Sequence, residues 1–133
     1  MIRKIHKTYL AIVYGKVNKS IKVMNDDLIY YENNKKIFQK AVSNIKIIKS
    51  NNAYSYLELK SITGRKHQLR KQLLNIGCPI VGDDKYFLND RKRLKIKNLM
   101  LHAFKIKFMI NNIQYTFKAK YSEQFEDFIK KNI

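Results

Sequence analysis

The 133-residue chain has no tryptophan, one proline, four glycines and one cysteine. With Cys78 alone, neither an intramolecular disulfide nor a multi-cysteine zinc site can form. So little proline and glycine leaves no linker to divide the chain, and the usual ~100–200 residues per domain give one domain over residues 1–133. Acid is scarce as well, with ten Asp and Glu against 28 Lys and Arg. The carboxylates Asp26, Asp27, Glu32, Glu58, Asp83, Asp84 and Asp90 are scattered, and no pairing among them suggests general acid–base work. No apolar run approaches the ~18 residues of a membrane span. The opening Met1-Ile2-Arg3-Lys4-Ile5-His6 lacks an apolar stretch of signal-peptide length. A cytoplasmic protein without membrane contact is expected. His6, His67 and His102 show no metal-ligand spacing, and no Gly-rich phosphate loop or G-x-S-x-G occurs. Neither metal nor cofactor is expected.

What is present is apolar bulk and positive charge. Hydrophobic residues make up 45% of the chain, which places it among folded proteins. A chain of this length can bury on the order of two-thirds of its unfolded surface. The formal net charge of +18 attracts polyanions by counterion release and steering, so nucleic acid is the leading partner class. A second origin for the excess stays open. Lys supplies 23 of the 28 basic residues, and Ile and Asn are also abundant. All three have A/T-rich codons, so drift in base composition gives the same bias.

The hydrophobic pattern predicts strands and two helices. Thr8 to Tyr14 is a β-branched and aromatic run that ends at Gly15 and reads as a buried strand. Ile21 to Tyr31 is ambiguous, with a turn expected at Asn25-Asp26-Asp27, and Glu32 to Lys36 reads as a polar loop. Val42 to Lys49 and Tyr54 to Ile62 form a hairpin around Ser50-Asn51-Asn52. At Lys66 the period changes. Leu69, Leu73 and Ile76 fall at helical spacing, and Gly77 and Pro79 end a helix from about Lys66 to Ile76. Cys78 to Val81 is extended, and Gly82-Asp83-Asp84 breaks it. Arg91 to Lys97 reads as a loop or one helical turn. Ala103 to Ile110 and Ile113 to Ala119 form a second hairpin around Asn111-Asn112. Ser122 then caps a last helix, with Glu123, Glu126 and Asp127 near its start and Lys130 and Lys131 near its end.

Chemistry-bearing residues concentrate at one strand-to-helix junction. Arg65, Lys66, His67, Gln68 and Arg70 crowd behind the Thr63-Gly64 turn. Amide groups at a helix start favour anions, and two arginines add forked donors for phosphate or carboxylate. Cations there oppose the helix dipole, so the run is poor design for stability alone. A solvated basic helix start is the competing reading.

Thr63-Gly64-Arg65-Lys66-His67-Gln68-Leu69-Arg70 resembles the T-G-R-x-H-Q-[IL]-R signature of the RluA-type RNA pseudouridine synthases. Four more segments resemble that family in the same order. Lys7-Thr8-Tyr9-Leu10-Ala11 is similar to its K-x-Y-x-A strand, and Ala41-Val42-Ser43 to its A-x-T. Gly77-Cys78-Pro79-Ile80-Val81-Gly82-Asp83-Asp84-Lys85-Tyr86 is similar to its G-x-P-I-x-G-D-x-x-Y, and Leu101-His102-Ala103 to its L-H-A. The resemblance implies an α+β fold, a mainly antiparallel or mixed sheet with two short helices, forming the C-terminal part of a synthase catalytic domain. It implies isomerisation of uridine to pseudouridine in structured RNA without cofactor, with ribosomal RNA foremost and transfer RNA second. It gives Tyr9 the role of packing on the target uracil. It gives Arg70 that of pairing with the catalytic aspartate. Leu69 and Leu101 become apolar pocket walls, and Lys7, Arg65, Lys66, His67 and Gln68 lie along the RNA. His102 reads as structural.

The sequence departs from the family pattern at the nucleophile. The R-L-D-x-x-[TS]-G segment belongs upstream of K-x-Y-x-A, and no aspartate of these 133 residues stands in that context. Asp83 and Asp84 belong to another motif. Three readings follow: a piece of an enzyme whose nucleophile comes from elsewhere, an RNA-binding remnant, and a basic ribosomal-type RNA binder. Missing upstream strands also imply an uncovered sheet edge and apolar surface. The expected consequences are marginal stability, self-association or a partner fragment.

Overall fold

The structure, a computed structural model, describes residues 2–89, 96, 98–120 and 122–133, with the backbone only for residues 2–4. Six strands and two helices follow in the order β1 (Ile2–Tyr14), β2 (Val23–Glu32), β3 (Lys35–Ser50), β4 (Tyr54–Ser61), α1 (Gln68–Asn75), β5 (Leu101–Ile110), β6 (Ile113–Lys118) and α2 (Glu123–Asn132). The strands make one sheet in the order β2-β3-β4-β1-β5-β6, and every pairing is antiparallel. This is the α+β fold with two short helices that the pattern predicts.

β1 sits mid-sheet because it is apolar on both faces. Leu10, Ala11, Ile12 and Val13 are all buried. One face of the sheet carries α1, whose Leu69 and Leu73 pack into the core. The opposite face carries α2, with Phe125 against Tyr56 and Phe128 edge-on to Tyr54. Burying two phenylalanines contributes about 3–6 kcal/mol to docking this ten-residue helix on the sheet.

Several local expectations are corrected. The turn expected at Asn25-Asp26-Asp27 does not form, because β2 runs straight through it, paired with Val42, Ala41 and Lys40. The expected polar loop at Glu32–Lys36 shrinks to a two-residue turn. Asn33 and Asn34 both take left-handed φ, 52° and 64°, as the tight hairpin turns require. Asn111 and Asn112 do the same between β5 and β6. The first helix is shorter than expected. His67 is left-handed at φ 53°, so Arg65 and Lys66 precede α1 rather than open it. Ser122 occupies the N-cap of α2 but makes no side-chain cap hydrogen bond. The expected extended segment at Cys78–Val81 reduces to a bridge between Ile80 and Val13. The stretch Arg91 to Lys97 lies, apart from Ile96, outside the described residues.

Candidate active-site cleft

The junction between β4 and α1 is held by buried amides. The Thr63 hydroxyl and the Arg65 amide both donate to Gln68 Oε1, at 2.7 and 3.0 Å. Gln68 Nε2 donates to the Val42 carbonyl and to Ser43 Oγ. The Ser43 hydroxyl donates in turn to Gln72 Oε1, and Gln72 Nε2 donates to the carbonyls of Met24 and Ala41. This network ties α1 to β2 and β3 through groups that would otherwise be buried unsatisfied. Gln68 borders the cleft, and both ends of its amide are engaged within the protein, where they hold the turn.

Beside this network a cleft of about 420 Å³ opens, within the range of small-ligand pockets. β1 contributes Lys7 and Tyr9, and the junction contributes Arg65, His67, Leu69 and Arg70. Leu101 adds an apolar wall at the start of β5. Tyr9 is half-buried, lying between Leu59 and Ala103 on the neighbouring strands. Lys66 is the one expected contact residue that stays outside. Its side chain is exposed, and its carbonyl accepts the Tyr30 hydroxyl. Arg65 reaches back to donate to the Lys40 carbonyl at 3.0 Å.

Arg70 has an internal partner that its assigned role left out. Its Nε donates to Asp83 Oδ2 at 2.8 Å and its Nη2 to Oδ1 at 2.7 Å. The Asp83 side chain is 1% exposed and that of Arg70 18%. Asp83 Oδ1 also accepts the amides of Lys85 and Tyr86. Burial pushes the Asp83 carboxyl up, but the hydrogen bonds from Arg70 and from the Tyr86 and Lys85 amides outweigh it, so its pKa lies below the ordinary value. The same hydrogen bond, and then the Asp83 charge, raises that of Arg70 against its own burial. Nη1 of Arg70 is not used by this pair.

Tyr86 packs against Arg70 and His67. Its ring lies 4.9 Å from the Arg70 guanidinium, and its hydroxyl is 2.9 Å from His67 Nδ1. Burial lowers the His67 pKa, and the charges of Arg70, Lys85, Lys66 and Lys71 lower it further, which favours the neutral imidazole. A left-handed histidine is uncommon, and its conformation aims the ring at Tyr86. Gly82 lets the Asp83 turn close, since a Cβ there would lie 2.1 Å from the Asn98 carbonyl oxygen. Asp83 and Tyr86 stand inside the G-D-x-x-Y motif but carried no assigned role. Their signal was the motif itself. Among the described residues no three His, Cys, Asp or Glu side chains gather to hold a metal ion. His102 lies against Phe125 and bonds the Lys120 carbonyl, a structural position.

A sequence profile described as RNA pseudouridylate synthase matches residues 2–75, which carry β1 through α1 and most of this cleft. The chain belongs to the RluA-type RNA pseudouridylate synthase family. Among its relatives, the ribosomal large subunit pseudouridine synthase C of Rickettsia felis is 37% identical over 73% of the chain and 34% of its own length. The ribosomal large subunit pseudouridine synthase D of Borreliella burgdorferi is 30% identical over 96% of the chain and 41% of its own length. An uncharacterized RNA pseudouridine synthase of Helicobacter pylori is 31% identical over 98% and 51%. The chain thus spans about a third to a half of the length of these relatives. The fold agrees with that of human RNA pseudouridylate synthase domain containing 4, with a TM-score of 0.74 at 24% identity over 92% of this chain and 60% of that one.

Proposed function

We propose that the cleft holds the target uridine of a pseudouridine synthase acting on structured RNA, ribosomal RNA foremost. One observation carries this reading: Tyr9 on β1, Arg70 on α1 and the apolar walls Leu69 and Leu101 converge on a single cleft edged by Lys7 and Arg65. Tyr9 packs on the uracil ring, as an aromatic face holds a flipped base. Lys7 and Arg65 meet phosphates, and His67 borders the RNA as a neutral imidazole. Names of the Rickettsia and Borreliella relatives favour ribosomal RNA as substrate. The chain works in the cytoplasm, where such RNA is made.

The carboxylate that attacks the nucleotide comes from a segment beyond these residues. Among the described residues, the side chains lining the cleft include no Asp or Glu. Asp83, held by Arg70 and sealed from solvent, is closed to substrate. Arg70, fixed by Asp83 and Tyr86, offers Nη1 to the incoming carboxylate. That carboxylate displaces the base from its sugar, and the base rotates and rejoins through carbon. The seat for its segment is the apolar ledge beside the cleft, where Ile5, Phe108 and Phe117 lie on the same sheet face as Lys7 and Tyr9. Photo-crosslinking tests the uridine assignment. Irradiating the chain with RNA carrying 5-iodouridine should give one main adduct at Tyr9, located by peptide mass spectrometry. Adducts confined to surfaces outside the cleft would contradict it.

A further inference from the structure

The outer face of the β2–β3 hairpin carries side chains that neither the core nor the cleft uses. In the antiparallel register Ile29 stands opposite Phe38 and Tyr31 opposite Lys36, so these four share one face. Tyr30 and Ile37 point the other way, where Lys71 Nζ sits 3.7 Å from the centre of the Tyr30 ring. The outer face is bare, with Tyr31 74% exposed, Phe38 58% and Ile29 41%. Lys36 Nζ lies 5.3 Å from the centre of the Phe38 ring, and the exposed Lys40 follows on the same face.

Bare rings on an edge strand invite aggregation, and lysines beside them discourage strand pairing. Charge also decides what this face accepts. An apolar protein surface would have to desolvate Lys36 and Lys40, whereas a polyanion gains from both, within a chain of net charge +18. Asp27, opposite Lys40, offsets only part of this. Exposed rings interleaved with cations on a sheet face suit single-stranded RNA, because rings take bases and amines take phosphates. Tyr31 and Phe38 are diagonal neighbours, roughly 7–8 Å apart along the face, a spacing open to successive bases.

We infer that Tyr31 and Phe38 stack bases of a single-stranded RNA segment outside the cleft while Lys36 and Lys40 hold its phosphates. The inference takes only its class of partner from the proposed function, and it needs no turnover. Its test is the fluorescence anisotropy of a labelled 12-nucleotide oligouridine over a range of salt concentrations. Tyr31→Ala and Phe38→Ala should each weaken binding about fivefold or more without changing the slope of log Kd against log salt. Lys36→Gln should instead make that slope shallower by about 0.7. Both rings are exposed, and unchanged circular-dichroism melts confirm that the variants fold. A folded double variant that binds as tightly as the parent at every salt concentration overturns the inference. So does a double variant that keeps its affinity but loses self-association, which would assign the face to a second copy. Loss of binding in the ring variants alongside a missing Tyr9 adduct would sink the uridine assignment and leave this surface standing.

Discussion

At the scale of single residues, the cleft depends on a charge pair closed from water on one side. Removing Arg70 would strand the Asp83 carboxylate in a site where its side chain is 1% exposed. Breaking such a pair by deleting one partner costs about 3–5 kcal/mol, and replacing both partners with apolar residues costs less. Arg70→Met should therefore lower stability by about 3 kcal/mol in urea denaturation, and adding Asp83→Leu should recover part of the loss. The pair also has a pH signature. Asp83 has a folded pKa below the ordinary ~3.9, so its stabilisation is whole above that value and is lost as pH falls through the folded one. The stability gap between the parent and Asp83→Asn should shrink as pH drops from 5 to 3. A gap that stays constant would show that Asp83 titrates normally. The motif made the residues of this site legible but not their division of labour. Thr63, Ser43 and Gln68 serve one buried network, and hydrogen bonds across 20 or more residues leave no periodic trace in sequence. Asp83 reads in sequence only as part of another motif, 13 positions from Arg70, and it is the fold that brings the two motifs together.

At the scale of elements, the β5–β6 hairpin was readable at Asn111-Asn112, whereas the same left-handed Asn-Asn turn at Asn33-Asn34 read as part of a polar loop. β2 was not readable, because Asn25, Asp26 and Asp27 carry turn propensity that ten cross-strand partners override. The helix start was misplaced by two residues because nothing in the spacing shows that His67 turns left-handed. β6 is an edge strand on which all six residues are exposed, and Phe117 is 60% exposed. Phe108 stacks against both Tyr115 and Phe117, which makes a continuous apolar face. Such an edge and face promote association. We expect the isolated chain to self-associate at tens of micromolar, and Phe117→Lys to weaken that association at least tenfold by sedimentation velocity. A parent that stays monomeric there would remove the ledge as a seat for another segment.

At the scale of the whole molecule, the net charge of +18 dominates. Among the described residues no helix is long and apolar enough to cross a membrane. RNA affinity should fall about tenfold or more between 50 and 200 mM salt, the loss expected from about three phosphate contacts on a single strand. The central claim is that this chain supplies the uridine seat and the arginine but not the attacking carboxylate. Tritium release from RNA labelled at uridine C5 tests it most directly. The 133 residues alone should release none. Fused behind a segment bearing R-L-D-x-x-[TS]-G, they should release tritium, and Tyr9→Ala or Arg70→Ala should cut the rate about a hundredfold. Release by the chain alone, or release by the fusion that ignores both substitutions, would contradict the account.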